Sequence, residues 1–188
     1  LIHATRFTNV HEKLSLIIND YVTSIRKEIS IYGNLPDALA RNSTIGRFKK
    51  TLSRHHHGSL EFSWEEVLAG ICKTIDSILV REVHQRTNPL LRLEYSKDRT
   101  TNVIAIGGTS LSRGYTLEGL SVSYFLRNTV FYDTLMQMGR WFGYRHGYED
   151  LCRVYMPETR IEHFAHIIEA TEDLIADFKI SSAGPVTP

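Results

Sequence analysis

Cysteine is scarce in this chain. Cys72 and Cys152 are far apart and lack metal-ligand spacing, which argues against a disulfide-stapled secreted domain and for a reducing compartment, the cytoplasm. No apolar run approaches the roughly 18 residues a membrane-spanning helix needs, and no basic-then-apolar leader opens the sequence. No membrane partner is therefore expected. An excess of one charge is missing too: 22 basic and 21 acidic side chains leave a formal +1, so any surface for a polyanion has to be local. Internal repeats and low-complexity tracts are also absent.

What is present suffices for one sizeable core: 188 residues, 42% of them apolar. Leu1-Ile2-His3-Ala4 reads as a core strand already under way, so the chain is expected to be a piece of a longer protein. Val10, Leu14, Ile17, Ile18, Tyr21, Ile25 and Ile29 recur at helical spacing and predict an amphipathic helix over residues 9 to 29. Residues 31–79 interrupt the strand–helix alternation and read as a mainly helical insertion. It opens with the turn Gly33-Asn34-Leu35-Pro36 and carries a locally basic stretch, Arg41, Arg47, Lys49, Lys50 and Arg54. Ser63-Trp64-Glu65-Glu66 is a capping box, predicting a helix to about Ile78 with Val67, Ile71, Ile75 and Ile78 as its apolar face. Short branched runs at Ile78–Val83, Asn102–Ile106, Ser121–Leu126 and Leu151–Met156 suit buried strands, and the helices between them favour parallel pairing. A closing helix from about Thr159 to Phe178 is expected to turn Ile161, Phe164, Ile168, Leu174, Ile175 and Phe178 inward. The prediction is a three-layer α/β domain with a mostly parallel sheet over residues 1–180, and a linker or tail over 181–188.

Residues 102–156 carry the chemistry. The strand Asn102–Ile106 runs into Gly107-Gly108-Thr109-Ser110-Leu111-Ser112-Arg113-Gly114-Tyr115-Thr116-Leu117-Glu118-Gly119. Glycines and hydroxyls directly after a parallel strand belong where backbone N–H groups meet phosphates; the plainer alternative is a tight turn that needs glycine only for its geometry. No lysine followed by Ser or Thr stands at Walker A spacing, so the chain is not expected to hydrolyse ATP alone. Further on, Gln137-Met138-Gly139-Arg140-Trp141-Phe142-Gly143-Tyr144-Arg145 holds two arginines between glycines and aromatics. A planar guanidinium stays charged and can engage phosphate oxygens bidentately. The structural alternative is that Arg140 and Arg145 stack on Trp141, Tyr144 or Tyr148 and bridge to Glu149 or Asp150.

The order strand, Ser112-Arg113-Gly114 with Thr116, strand, then Gln137-x-Gly139-Arg140 with Arg145 beyond resembles motifs V and VI of superfamily-two helicases. The opening His3-Ala4-Thr5-Arg6 resembles motif IV. At the level of one family, the segments Ile104–Gly108, Leu111–Gly114, Thr116–Leu120, Tyr124–Arg127, Tyr132–Arg145 and Tyr148–Arg153 resemble the Z1 domain, which carries an endonuclease label and occurs with helicase-type ATPase cores in bacterial restriction and phage-defence proteins. The resemblance implies a RecA-like second motor lobe. In it Arg140 and Arg145 serve as arginine fingers, while Gly107, Gly108, Ser112, Arg113, Gly114, Thr116, Glu118, Gly119, Gln137 and Gly139 lie near the phosphates. His3, Thr5, Arg6, Thr109 and Trp141 would contact DNA. ATP and Mg2+ would be held mainly by a first RecA-like lobe of the same polypeptide, absent here. Two departures stand out: Gln137 lies two rather than three positions before its glycine, and the arginines are five rather than three apart.

The alternative function is a metal-dependent endonuclease or an independent DNA-binding module. Its acids are scattered over Glu94, Asp98, Glu118 and Glu149-Asp150, without the spacing of a Mg2+ site. His55-His56-His57 lacks the i, i+4 placement of helical zinc ligands and reads as an exposed loop. No metal site is expected.

Overall fold

The computed structural model describes residues 1–5, 7–55, 61–83, 102–108, 117, 119–126 and 147–183. Five strands are described, β1 (Ile2–His3), β2 (Leu79–Val83), β3 (Val103–Gly107), β4 (Val122–Phe125) and β5 (Arg153–Tyr155). The helices are α1 (Thr8–Tyr32), α2 (Ala38–Arg41), α3 (Ser43–His55), α4 (Trp64–Thr74) and α5 (Glu158–Ala183). The described pairings, β1 with β4, β4 with β5 and β2 with β3, are all parallel. The fold is thus mixed α/β with parallel strands and flanking helices. The chain divides into two compact units, Arg6–Gly107 and Leu1–Thr5 with Gly108–Pro188.

In the Arg6–Gly107 unit, α1 buries His11, Val22, Ile25 and Ile29. This stripe is rotated from the predicted one: Ile17 is 65% and Tyr21 51% exposed. Apolar residues flank the true stripe on both sides, so periodicity alone gave too broad a face. Ile25, Ile29, Ala38, Ile45 and Ile75 form the core cluster, with Phe48, Trp64, Leu68, Ile71 and Cys72 packed against it. Gly33 makes that packing possible, because a Cβ there would stand 2.6 Å from the Cys72 sulfur and from the Ile29 carbonyl oxygen.

Asn42 fastens three helices. It caps the end of α2, its backbone N–H donating to the carbonyl of Ala38, and its Oδ1 accepts the Ile45 N–H at the start of α3. Its Nδ2 donates to Glu28 of α1 at 2.9 Å. Hydrogen bonds from Thr44 and Asn42 hold the Glu28 carboxyl below its ordinary pKa.

The capping box is formed as predicted: Ser63 Oγ accepts the Glu66 N–H, and the Glu66 carboxylate accepts the Ser63 N–H at 2.7 Å. That bond lowers the Glu66 pKa. The helix stops at Thr74 and tightens into a 3-10 turn, Ile75–Ser77, short of the predicted Ile78. Hydroxyls take the last carbonyls, Thr74 Oγ1 donating to Gly70 O at 2.8 Å and Ser77 Oγ to Thr74 O at 2.6 Å. The Arg26 guanidinium on α1 donates to the Ile75 and Ile78 carbonyls, satisfying acceptors where a helix end is electronegative.

In the other unit, β1 pairs with β4 in the register Ile2 to Tyr124 and His3 to Phe125, and β4 with β5 from Val122 opposite Arg153. β5 begins later than the predicted Leu151, since Glu149–Leu151 form a 3-10 turn. Helix α5 begins near the expected point but extends to Ala183, into the segment predicted as tail. Of its predicted inward residues only Phe164 is half-buried; Ile161, Ile168, Leu174, Ile175 and Phe178 are exposed, Phe178 by 66%. For Leu174, Ile175 and Phe178, toward the far end of the helix, length accounts for the exposure. A helix of 26 residues runs about 39 Å, whereas four-residue β4 spans about 13 Å.

Candidate nucleotide and nucleic-acid site

Parallel pairing sends β1 and β4 to the same edge, where Ala4-Thr5 and Leu126 emerge. Two backbone bonds fix the pair, Tyr124 N–H to Leu1 O at 2.8 Å and Leu126 N–H to His3 O at 2.9 Å. Alternation then separates the faces. His3 is fully buried, its ring parallel to Phe125 at 5.0 Å between centroids, and Phe164 of α5 meets Phe125 edge-on at 6.2 Å. Such geometry suits aromatic pairs. Ser123, two positions before Phe125 and on the same face, is buried, and its hydroxyl has no hydrogen-bond partner among the described residues. On the opposite face Tyr124 and Tyr155 stack at 4.7 Å, with Tyr124 46% exposed.

The His3 ring is thus buried on the same face as Ser123 and Phe125. Thr5, half-buried, follows at the edge itself.

The glycines of the loop differ in what they do. Gly107 is buried as the last residue of β3, opposite Val83 of β2, and Gly108 after it is buried as well. Gly119 is exposed, has φ of 70°, and an added Cβ would meet nothing within 4 Å. Glycine is needed there for a left-handed backbone and not for close approach, which is the plain turn alternative. Buried Leu117 and Leu120 anchor that turn. Arg6, Thr109, Ser112, Arg113, Gly114, Thr116, Glu118, Gln137, Gly139, Arg140, Trp141 and Arg145 lie outside the described residues.

Of the acids considered as metal ligands, Glu149 and Asp150 are described. Glu149 accepts the N–H of Gly147, a second left-handed glycine, at 3.1 Å. Arg153 Nη1 donates to the Asp150 carbonyl at 2.6 Å and the Cys152 carbonyl at 2.8 Å. These bonds shape the turn into β5. Among the described residues no group of three or more His, Cys, Asp or Glu side chains is placed to hold a metal ion, and no helix is long and apolar enough to cross a membrane.

Sequence reasoning missed the Phe125–Phe164 support beneath His3 and the buried Ser123 hydroxyl. A serine between apolar strand residues was the available signal for the latter. The partnership of His3 with Phe125 depends on a register spanning most of the chain, which no local pattern carries. The family model described as Z1 domain matches residues 1–188. Neither the curated proteins nor the solved structures contain a match to the chain.

Proposed function

The chain belongs to the Z1 domain family over residues 1–188, and from that premise we propose that it is the second, RecA-like motor lobe of a nucleic-acid-dependent ATPase of helicase type. The observation that carries this reading is a parallel strand, β3, ending in Gly107 and passing into the Gly108–Gly119 stretch, because carboxyl ends of parallel strands are where open α/β sheets receive ligands. The order of the segments beyond it supports the same reading: Ser112-Arg113-Gly114, then β4, then Gln137-x-Gly139-Arg140 and Arg145.

The donor set fits a nucleotide held elsewhere. It offers backbone N–H groups and guanidinium groups but no Walker A lysine. ATP with Mg2+, bound mainly by a first lobe, would supply the transferable phosphoryl group. Arg140, with Arg145 second, would neutralise charge developing on it, and Arg113 would add a phosphate or strand contact. DNA in a bacterial restriction or phage-defence protein is the proposed polymer, and the bacterial cytoplasm the proposed location.

Arg140→Ala in a protein carrying both lobes is expected to lower nucleic-acid-stimulated ATP turnover by about 10³-fold or more, with the fold intact by circular dichroism. Unchanged turnover removes the finger assignment.

A further inference from the structure

We infer that the exposed face of α3 grips the phosphate backbone of a nucleic-acid strand. The inference rests on the nucleic-acid reading above and extends it to the helical unit, whose basic stretch that reading leaves without a role. Residues 38–55 contain no Asp or Glu but include Arg41, Arg47, Lys49, Lys50 and Arg54, in a chain whose overall charge is +1. Helix formation sorts these side chains. Thr44 and Ile45 are buried, Phe48 and Leu52 half-buried, and Arg47, Lys49, Lys50, Ser53 and Arg54 exposed.

The charges differ in what holds them. Arg41 is paired with Asp37 at 2.6 Å. Arg47 Nη2 donates to the Tyr21 hydroxyl at 3.2 Å and Thr44 Oγ1 at 3.3 Å, partners that orient a guanidinium without neutralising it. Glu28 feels the Arg47 charge but is engaged by Thr44 and Asn42. Lys49 Nζ stands 5.9 Å over the Trp64 ring. Neither Lys50 nor Arg54 forms an ion pair with a described carboxylate.

Arg47, Lys50 and Arg54 follow one another at i, i+3 and i+7, a stripe about 10 Å long. Phosphates of one strand rise about 3.4 Å per nucleotide along a duplex axis, so the stripe covers the axial rise of about three nucleotides. Gly46 and Ser53 flank Lys50 with small side chains, and the space beside Gly46 is open, so a backbone can approach closely. A membrane surface is the poorer fit. An interfacial helix needs its apolar face for lipid, and here Ile45 and Phe48 are already packed in the cluster with Ile29 and Ile75.

The test measures binding of a fluorescent single-stranded oligonucleotide of about 20 nucleotides to the full chain between about 50 and 200 mM salt. Lys50→Gln with Arg54→Gln should weaken binding about tenfold or more and flatten the slope of log K against log salt by about 1.4, for two lost phosphate contacts. Lys13→Gln with Lys27→Gln, an equal loss of exposed charge on α1, should change affinity less than about twofold by nonspecific screening alone. An unchanged slope in the α3 pair, an equal loss in the α1 pair, or no binding by the unsubstituted chain overturns the inference. So does polyglutamate binding as tight as that of the oligonucleotide, which would assign the face to an acidic protein. Because Arg140→Ala is read by turnover and these variants by affinity, failure of one assignment is distinguishable from failure of the other.

Discussion

The two units of this chain are built on different terms. In Arg6–Gly107, the helices are tied to one another by specific side-chain bonds, Asn42 to Glu28 and Arg26 to the carbonyls after α4, over an apolar cluster. In the unit containing β1, β4 and β5, the described order rests on strand register and two aromatic stacks, His3 on Phe125 and Tyr124 on Tyr155, while most apolar positions of α5 face solvent. The family's motif residues after Gly108 fall within the sequence range of the second unit. What carries the proposed chemistry and what packs most completely are thus different stretches of sequence.

Substitutions can sharpen that contrast or abolish it. The largest effect is expected at Ile45, which is fully buried: Ile45→Ala should cost about 2–5 kcal/mol in urea unfolding. Phe178→Ser on α5 should move stability by less than about 0.5 kcal/mol. Similar costs at both positions would show that α5 is covered in solution and that the contrast fails.

Glycines give a smaller effect of opposite sign in the two units. Gly119→Ala should destabilise by about 1 kcal/mol because its backbone is left-handed. Gly46→Ala, in a helix interior with open space, should stabilise by about 0.5–1 kcal/mol. Equilibrium unfolding of both variants tests the pair, and a neutral Gly119→Ala would mean that the turn relaxes.

The smallest effect is one of pH. The Glu66 pKa is lowered in the folded chain, so its contribution is present above the usual glutamate pKa of about 4.3 and is lost as pH falls through the lower folded value. Helical thermal stability should therefore drop less between about pH 5 and pH 2 in Glu66→Gln, which keeps a capping acceptor without its titration. An identical acid limb in both proteins would place the acid sensitivity at other carboxylates, such as Glu28 and Asp37.

Local signals were legible and long-range ones were not. Ser63 and Glu66 announce a helix start because both halves of the box lie within one turn, and Val103-Ile104-Ala105-Ile106 announces a buried strand by branched residues alone. The rotation of α1 was not readable, because Ile17 and Tyr21 are as apolar as the residues that are buried and only tertiary neighbours choose between them. Asn42 looks like any polar loop residue until α1 brings Glu28 to it. For the candidate site, Gly107 was readable as lying at a strand end, and the left-handed role of Gly119 only as one of two alternatives. The burial of His3 was not readable, because its stacking partner Phe125 lies far away in sequence.

The register of β1 also bears on how the protein is made. Ile2 pairs with Tyr124 and His3 with Phe125, so β1 leaves the ribosome long before β4 exists. At about 5–20 residues per second the wait is on the order of ten seconds, during which the helices from Thr8 to Thr74 can already assemble. Until β4 is made, the Ile2–His3 segment lacks this partner, and any chaperone occupancy of that segment during translation should end once β4 emerges.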